Sequence, residues 1–564
     1  MTPTRVLIVG NGMAGARLAE ELHHRDSGRR VAVTVVGEEP HPAYNRILLS
    51  NVLAGSITPR ETRLRPDTWW ASRGIDVRTG VRVDSVDLGA RTATLSTVRT
   101  APSPFPPNAV FGVGRTGIPL TSTPNAAFGA KGSASYGTRA MGSEGAADRE
   151  VGSEGAGDHE VIEWDELVLA TGSVPFVPEL AGDASDVVAL RTLDDCRRIR
   201  TSAEFARTAA VLGGGLLGLE AARGLLTMGL EVTIIHPMDF PMERQLDADG
   251  GAVLSRLVRE LGVRLVLGRV AASRTAATAE RPAHLVLDDG AVIPADIVVV
   301  SAGVRPRTDL GAALGAEIGR GIVVDDQLAT SLPHVHAIGD CVEHRGLVQG
   351  LVQPAWDQAR VLADVLTGSD PSATYACTPP VTRLKAHDID LASMGDVSVP
   401  VHDPAHEVLS VAEPSRGRYG KLVVRDDRIV GAVLLGGGEA AGALTQLFDT
   451  GAVVPRDRLS LLLGRALTPD ASSGGQVNLA EMPGSAVLCR CNSVTKSGIV
   501  TAWRAGAHPV PQVAEATRAT TGCGGCASAV QGLCDWLRAA DPDPRPTTRT
   551  SAVAEPAALT EGAA

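Results

Sequence analysis

Thr4-Arg5-Val6-Leu7-Ile8-Val9-Gly10-Asn11-Gly12-Met13-Ala14-Gly15 decides how the rest of the chain is read. An apolar β run enters a turn built on Gly10, Gly12 and Gly15, and the segment Ala16 to His23 follows as a helix. In that order the glycines permit a tight turn and let a pyrophosphate approach the helix N-terminus, where unpaired N–H groups and the macrodipole favour an anion. The next β run, Val31 to Val36, ends at Gly37-Glu38. Glu38 thus stands 23 residues after Gly15, where a carboxylate accepts hydrogen bonds from an adenosine ribose. The pattern returns as Gly213-Gly214-Gly215-Leu216-Leu217-Gly218, between the apolar run Ala209 to Leu212 and a helix over Leu219 to Met228. The strand after it, Glu231 to Ile235, ends at His236. There is neither a carboxylate to select NADH nor a neighbouring arginine to embrace a 2′-phosphate, so NADH versus NADPH stays open, with a lean to NADH.

Outward from these two turns, β-type runs alternate with Ala/Leu-rich helical runs across residues 4–370, which predicts an α/β protein with mostly parallel sheets. A chain of 564 residues exceeds what one core supports, so several domains are expected. The net charge of −11, with no basic cluster, speaks against nucleic acid or an anionic membrane surface as partner. The longest apolar stretch, Val211 to Leu230, is broken by Glu220 and Arg223, and the N-terminus runs straight into the glycine turn without a secretory apolar region. A cytoplasmic protein is the expectation. The stretch 101–160 is rich in Pro, Gly, Ala and Ser and holds a tandem decapeptide, Gly142 to Val151 and Gly152 to Val161. It reads as a disordered insertion, and residues 541–564 as a disordered tail.

Three further stretches carry a resemblance: Leu169-Ala170-Thr171-Gly172-Ser173, Ser301-Ala302-Gly303-Val304-Arg305-Pro306 and His336-Ala337-Ile338-Gly339-Asp340. With the two glycine turns they resemble the pyridine nucleotide-disulfide oxidoreductase superfamily of FAD flavoproteins. The resemblance implies that Thr171, Gly172, Gly303, Gly339 and Asp340 help to hold cofactor, with Asp340 on the flavin's ribityl chain, although Asp340 could also serve as a helix N-cap. It further implies Arg46 and Glu220 as polar residues near the reacting rings, with a surface ion pair as the alternative for either. No cysteine precedes Cys196, so the redox-active pair of the disulfide-reducing members is missing. Cys196 and Cys341 read as inert buried thiols.

Electrons must then leave the flavin by another route. Cys489-Arg490-Cys491 is followed after 31 residues by Cys523-Gly524-Gly525-Cys526, ahead of a helical Ala527 to Leu537. Two close thiolate pairs suit tetrahedral zinc or an iron–sulfur cluster, and a glycine-rich loop can offer N–H groups to cluster sulfurs. Leu488 to Trp536 resembles the bacterioferritin-associated ferredoxin-like [2Fe-2S] module. The whole order resembles the N-terminal part of NAD(P)H nitrite reductase large subunits and the electron-transfer subunits of assimilatory nitrate reductases. Pro42 to Ser50, Met242 to Asp247 and Gln353-Pro354-Ala355-Trp356 add to that likeness.

The expected division gives the FAD domain 1–100, 161–205 and 295–370, and the NAD(P) domain 206–294. An α+β interface domain takes 375–465, with a homodimer as its implied use, and a small helical [2Fe-2S] domain takes 484–538. Two nested Rossmann-like domains are thus followed by two smaller units. Nitrite reductase large subunits continue into a sirohaem and [4Fe-4S] region needing four more cysteines, whereas after Cys526 only Cys534 remains, reading as a core residue. Nitrite reduction on this polypeptide is not expected, and a separate terminal reductase is implied. The favoured function is an NAD(P)H-oxidising FAD protein feeding a nitrate or nitrite reductase through its cluster. A stand-alone NAD(P)H:ferredoxin or rubredoxin reductase and a redox-sensing or docking protein are the alternatives.

Overall fold

A computed structural model of the chain describes residues 2–98, 159–463 and 482–540, except 27, 183–185, 279–280, 378, 380, 387–388, 490–491, 493 and 522–525. The insertion expected over 101–160 lies outside the described residues up to 158, and Glu160 opens a strand, Glu160–Glu163. The expected tail lies wholly outside them.

The strand Thr4–Val9 is buried on four successive residues, Val6 to Val9, which is the mark of a parallel strand covered on both faces. Val31–Gly37 pairs with it on one side and Glu166–Leu169 on the other, both parallel, and Asp76–Thr79 and Val335–Ala337 complete a five-stranded sheet. The helix Met13–Arg25 packs between this sheet and the helix Val352–Thr367, and the Trp356 indole N–H donates to the Met13 carbonyl at 3.2 Å.

A second five-stranded parallel sheet repeats the order: Val187–Ala189, Ile297–Val300, Thr208–Leu212, Glu231–His236, Arg264–Leu267. The second sheet therefore takes in strands that lie outside 206–294 in sequence. The central strand Thr208–Leu212 needs a partner on each side to satisfy its backbone, and Ile297–Val300, itself flanked by Val187–Ala189, supplies the second. The chain passes between the two domains through Ser173–Pro175 and Val304–Pro306, which pair antiparallel.

The interface domain is a five-stranded antiparallel sheet, Val381–Ala386, Ile389–Gly395, Arg428–Leu435, Arg418–Arg425, Glu407–Glu413 in spatial order, with the helix Gly438–Thr450 packed on it. Its buried Lys421 donates to the Asp247 carboxylate at 2.8 Å and to the Val397 carbonyl at 2.9 Å, fastening the sheet to the NAD(P) domain. The C-terminal unit joins a short ladder, Val487–Cys489 with Val494–Thr495, to helices Lys496–Arg504, Val510–Thr517 and Ala527–Ala540. Ile499, Trp503, Val513, Val530, Leu533 and Cys534 form its core, and Ile47 of the first domain packs against it. Among the described residues no helix is long and apolar enough to cross a membrane.

Candidate functional site

Both glycine turns obey the same constraints. Gly10 has φ +127° and Gly213 φ +118°, and a Cβ on them would lie 2.0 Å from the Ala170 carbonyl oxygen and 2.3 Å from that of Ser301. Gly15 and Gly218 touch the carbonyl of the first glycine of their own turn, with a Cβ reaching it at 2.0 Å, so only glycine lets helix and strand come together. Gly12 and Gly215 differ: their backbones are extended, and none of the described residues lies within 4 Å of an added Cβ. Neither helix has a side-chain cap. Open space facing uncapped N–H groups is the cradle that a pyrophosphate fills.

The turns differ in one exchange of sizes. Gly10 N–H donates to Val36 and Gly213 N–H to Ile235, which makes Gly37 and His236 equivalent positions. Gly37 is small opposite Asn11, whereas Gly214 is small opposite His236. The residue that matches Glu38 is therefore Pro237, not His236. His236 turns inward: its Nδ1 accepts the Gly214 N–H at 3.0 Å and its Nε2 faces Glu243 at 3.1 Å. Glu38 lines the first site, paired with Arg307 at 2.8 Å.

One cavity of 2070 Å³ begins at Gly10, Gly12 and Glu38, passes Arg46, Thr171, Gly172 and Asp340, and reaches Leu488 and Cys526 of the C-terminal unit. It is about twice the largest ordinary small-ligand pocket, roughly 300–1,000 Å³, and so has room for more than one group. Leu216 and Leu217 reach it from the second domain, while Gly213 and Gly215 lie beyond its lining. Asp340 sits in a short 3-10 turn, Gly339–Cys341, where it caps no α-helix. Its carboxylate accepts from Ser173 Oγ at 2.9 Å and Arg191 Nη2 at 2.7 Å. Gly339, at φ +87°, packs on Ala14, and its N–H donates to Gln358 at 2.7 Å. Gly303, at φ +104°, accepts the Phe176 N–H at 2.9 Å where the chain crosses between domains.

Arg46 donates to the Arg191 carbonyl at 2.9 Å, pairs with Glu39 and lies 5.1 Å from the centre of the Tyr44 ring. Burial pushes the Tyr44 hydroxyl up, so it stays protonated and donates to Glu39 at 2.7 Å. Glu220 lies half-buried on the helix Leu216–Thr227, outside the cavity lining. Four further residues line the cavity with a buried polar atom that no group among the described residues satisfies: Asn11 Nδ2, Arg191 Nε, Gln353 Oε1 and Arg360 Nε. Such orphans fit a bound polar cofactor, and with the cradle at Gly12 the lining suits FAD. Asn11 belongs to the first glycine turn and Gln353 to the Gln353–Trp356 motif, but nothing in the sequence marks Arg191.

Cys196 and Cys341 are buried, and burial pushes the first thiol up to about 12 and raises the second, as suits inert core residues. Cys534 is fully buried in the C-terminal core. Cys489 and Cys526, far apart in sequence, are brought into that same core. Cys491 and Cys523 lie outside the described residues. The convergence of one cysteine from each pair fits a shared cluster.

Comparisons with known proteins match three family models along the chain. The pyridine nucleotide-disulphide oxidoreductase family model matches residues 4–359, the rubredoxin NAD+ reductase C-terminal domain 380–452, and the BFD-like [2Fe-2S] binding domain 487–535. A Bacillus subtilis nitrite reductase [NAD(P)H] is 32% identical over 96% of this chain and 59% of its own length. The assimilatory nitrate reductase electron transfer subunit of the same organism is 30% identical over 95% of this chain and 60% of its own. The chain thus spans about three fifths of the length of these relatives. The covalent putidaredoxin reductase–putidaredoxin complex shares the fold, with a TM-score of 0.63 at 21% identity over 83% of this chain and 100% of that one.

Proposed function

The chain belongs to the pyridine nucleotide-disulphide oxidoreductase family as an NAD(P)H-dependent oxidoreductase with FAD and [2Fe-2S] sites, and on that footing we propose that it supplies electrons to a separate nitrate or nitrite reductase. The observation that carries this reading is the single cavity joining the first glycine turn to Cys526, with Arg46 and Ile47 between them. When bound, the flavin supplies the exchange between a two-electron nicotinamide donor and a one-electron cluster.

The protein's own part is to bind, orient and shield. Gly12 and Gly215 leave room for the two pyrophosphates, and Glu38 offers a carboxylate to a ribose. Asp340, held by Arg191 and Ser173, fixes the sugar-like chain of the flavin. Arg46 keeps a positive charge at the cavity wall, pinned by Glu39 and the Arg191 carbonyl. Cys489, Cys491, Cys523 and Cys526 hold the cluster. A cytoplasmic location and a homodimer through the interface domain complete the proposal.

The test is an anaerobic titration with NADH, followed by visible and EPR spectra. Bleaching of the flavin followed by a [2Fe-2S] signal is expected; bleaching with no signal refutes the cluster route. A second reading, a stand-alone reductase of rubredoxin or ferredoxin, is favoured by the rubredoxin reductase-like domain at 380–452. Rapid reduction of either carrier, with no transfer to an added nitrate or nitrite reductase, would select it.

A further inference from the structure

Arg518 closes the helix Val510–Thr517 in the left-handed region, at φ +67°, and Thr520 follows at φ +71°. Two such residues separated only by Ala519, neither glycine and one β-branched, persist only where their surroundings hold them. What holds them is visible. The Arg518 carbonyl accepts from Asn492 Nδ2 at 2.6 Å and from Thr521 Oγ1 at 2.9 Å. Asn492 follows Cys491 in sequence, and Thr521 stands two residues before Cys523, so one backbone carbonyl joins a residue next to each cysteine pair.

The side chain leaves the module. Its Nη1 donates to the carbonyl of Leu64 in the FAD domain, beside Arg65, which binds the buried Glu20 of the first helix at 2.8 Å. Burial pulls the guanidinium down to about 10, so it is still charged at neutral pH, and Cys489 lies within its electrostatic reach. A further attachment, Ile47, is apolar and adjoins Arg46.

We propose that Arg518 is a positioning residue that seats the [2Fe-2S] module on the FAD domain in register for electron transfer and favours the reduced cluster by its charge. The inference rests on the internal transfer proposed above. A cation within electrostatic reach of a cluster ligand stabilises the more negative, reduced state and so raises the cluster's potential.

The experiment compares Arg518→Gly, Arg518→Gln and Arg518→Lys in the full chain carrying FAD and cluster. Glycine suits φ +67°, so Arg518→Gly removes the side chain while relieving the backbone. Reduction of the flavin by NADH should stay within twofold, while the cluster's EPR signal, followed by freeze-quench, appears at least tenfold more slowly in the Gly and Gln variants. Their midpoint potential shifts negative, a tenfold change in the transfer equilibrium corresponding to about 59 mV. Lysine, which keeps the charge and an N–H donor, restores much of both. Cluster kinetics and potential in Arg518→Gly equal to the parent chain's overturn the proposal. So does equal loss of iron in all three variants, which assigns Arg518 to assembly. A parent chain whose cluster never takes an electron from NADH overturns the proposed function as well, and so separates the two failures.

Discussion

Gly215→Ala separates the nucleotide cradle from the fold that carries it. The backbone at Gly215 is extended and nothing lies within 4 Å of the new methyl, so the protein has no reason to resist the change. Loss of chain entropy in the unfolded state should leave it neutral or more stable by about 0.4–1 kcal/mol. The methyl instead occupies the space that a dinucleotide phosphate needs in order to meet the turn's N–H groups. Forfeiting one charge-assisted hydrogen bond, roughly 1.5–3 kcal/mol, raises the Kd for NADH by about 10- to 150-fold. Titration calorimetry with NADH measures the Kd, absorbance the retained FAD, and calorimetric melting the stability. NADH binding within twofold of the parent chain, or concurrent loss of FAD, would refute the reasoning. The neighbouring Gly218→Ala is the control: its methyl would lie 2.0 Å from the Gly213 carbonyl oxygen, and overpacking should cost about 1–3 kcal/mol even without nucleotide.

Asp340→Asn removes the negative partner of Arg191 and should weaken FAD retention at least tenfold, a loss of about 1.4 kcal/mol or more, read as flavin content after dialysis. Lys421→Met strands the Asp247 carboxylate and should cost about 3–5 kcal/mol in urea unfolding at pH 7. Burial alone would raise Asp247, but Lys421, Tyr419 and the Gly250 N–H together hold it below the usual carboxylate range. Its stabilisation is therefore present at neutral pH and lost as pH falls through about 3.9 toward the lower folded value, and unfolding of the Met variant should show a shallower acid dependence. Cys534→Ser should keep iron and the EPR signal while losing about 1–3 kcal/mol for a hydroxyl in the core, whereas Cys526→Ser should lose the signal.

The glycine turns were legible in the sequence because their constraints act within a few residues: a strand, a positive φ at Gly10, a close helix at Gly15. The chemistry of Asp340 was legible only through resemblance, since its partners Ser173 and Arg191 come from other parts of the chain. The three-residue strand Val187–Ala189 is too short to show a period, and its place in the second sheet follows from pairing with Ile297–Val300. Arg518 carried no signal at all, because a guanidinium that reaches the carbonyl of Leu64 depends on how two parts of the chain 454 residues apart meet.

The exchange of sizes between Asn11 opposite Gly37 and Gly214 opposite His236 constrains how the second nucleotide site can drift over generations. Enlarging Gly214 first drives its Cβ into the imidazole, whose Cγ lies 2.9 Å from that point. Shrinking His236 first opens a hole and strands the Gly214 amide. A lineage that alters this corner must therefore change the imidazole before the glycine and tolerate a weakened intermediate. Nucleotide preference should accordingly be easier to retune at the outward-facing Pro237 than at the histidine beside it.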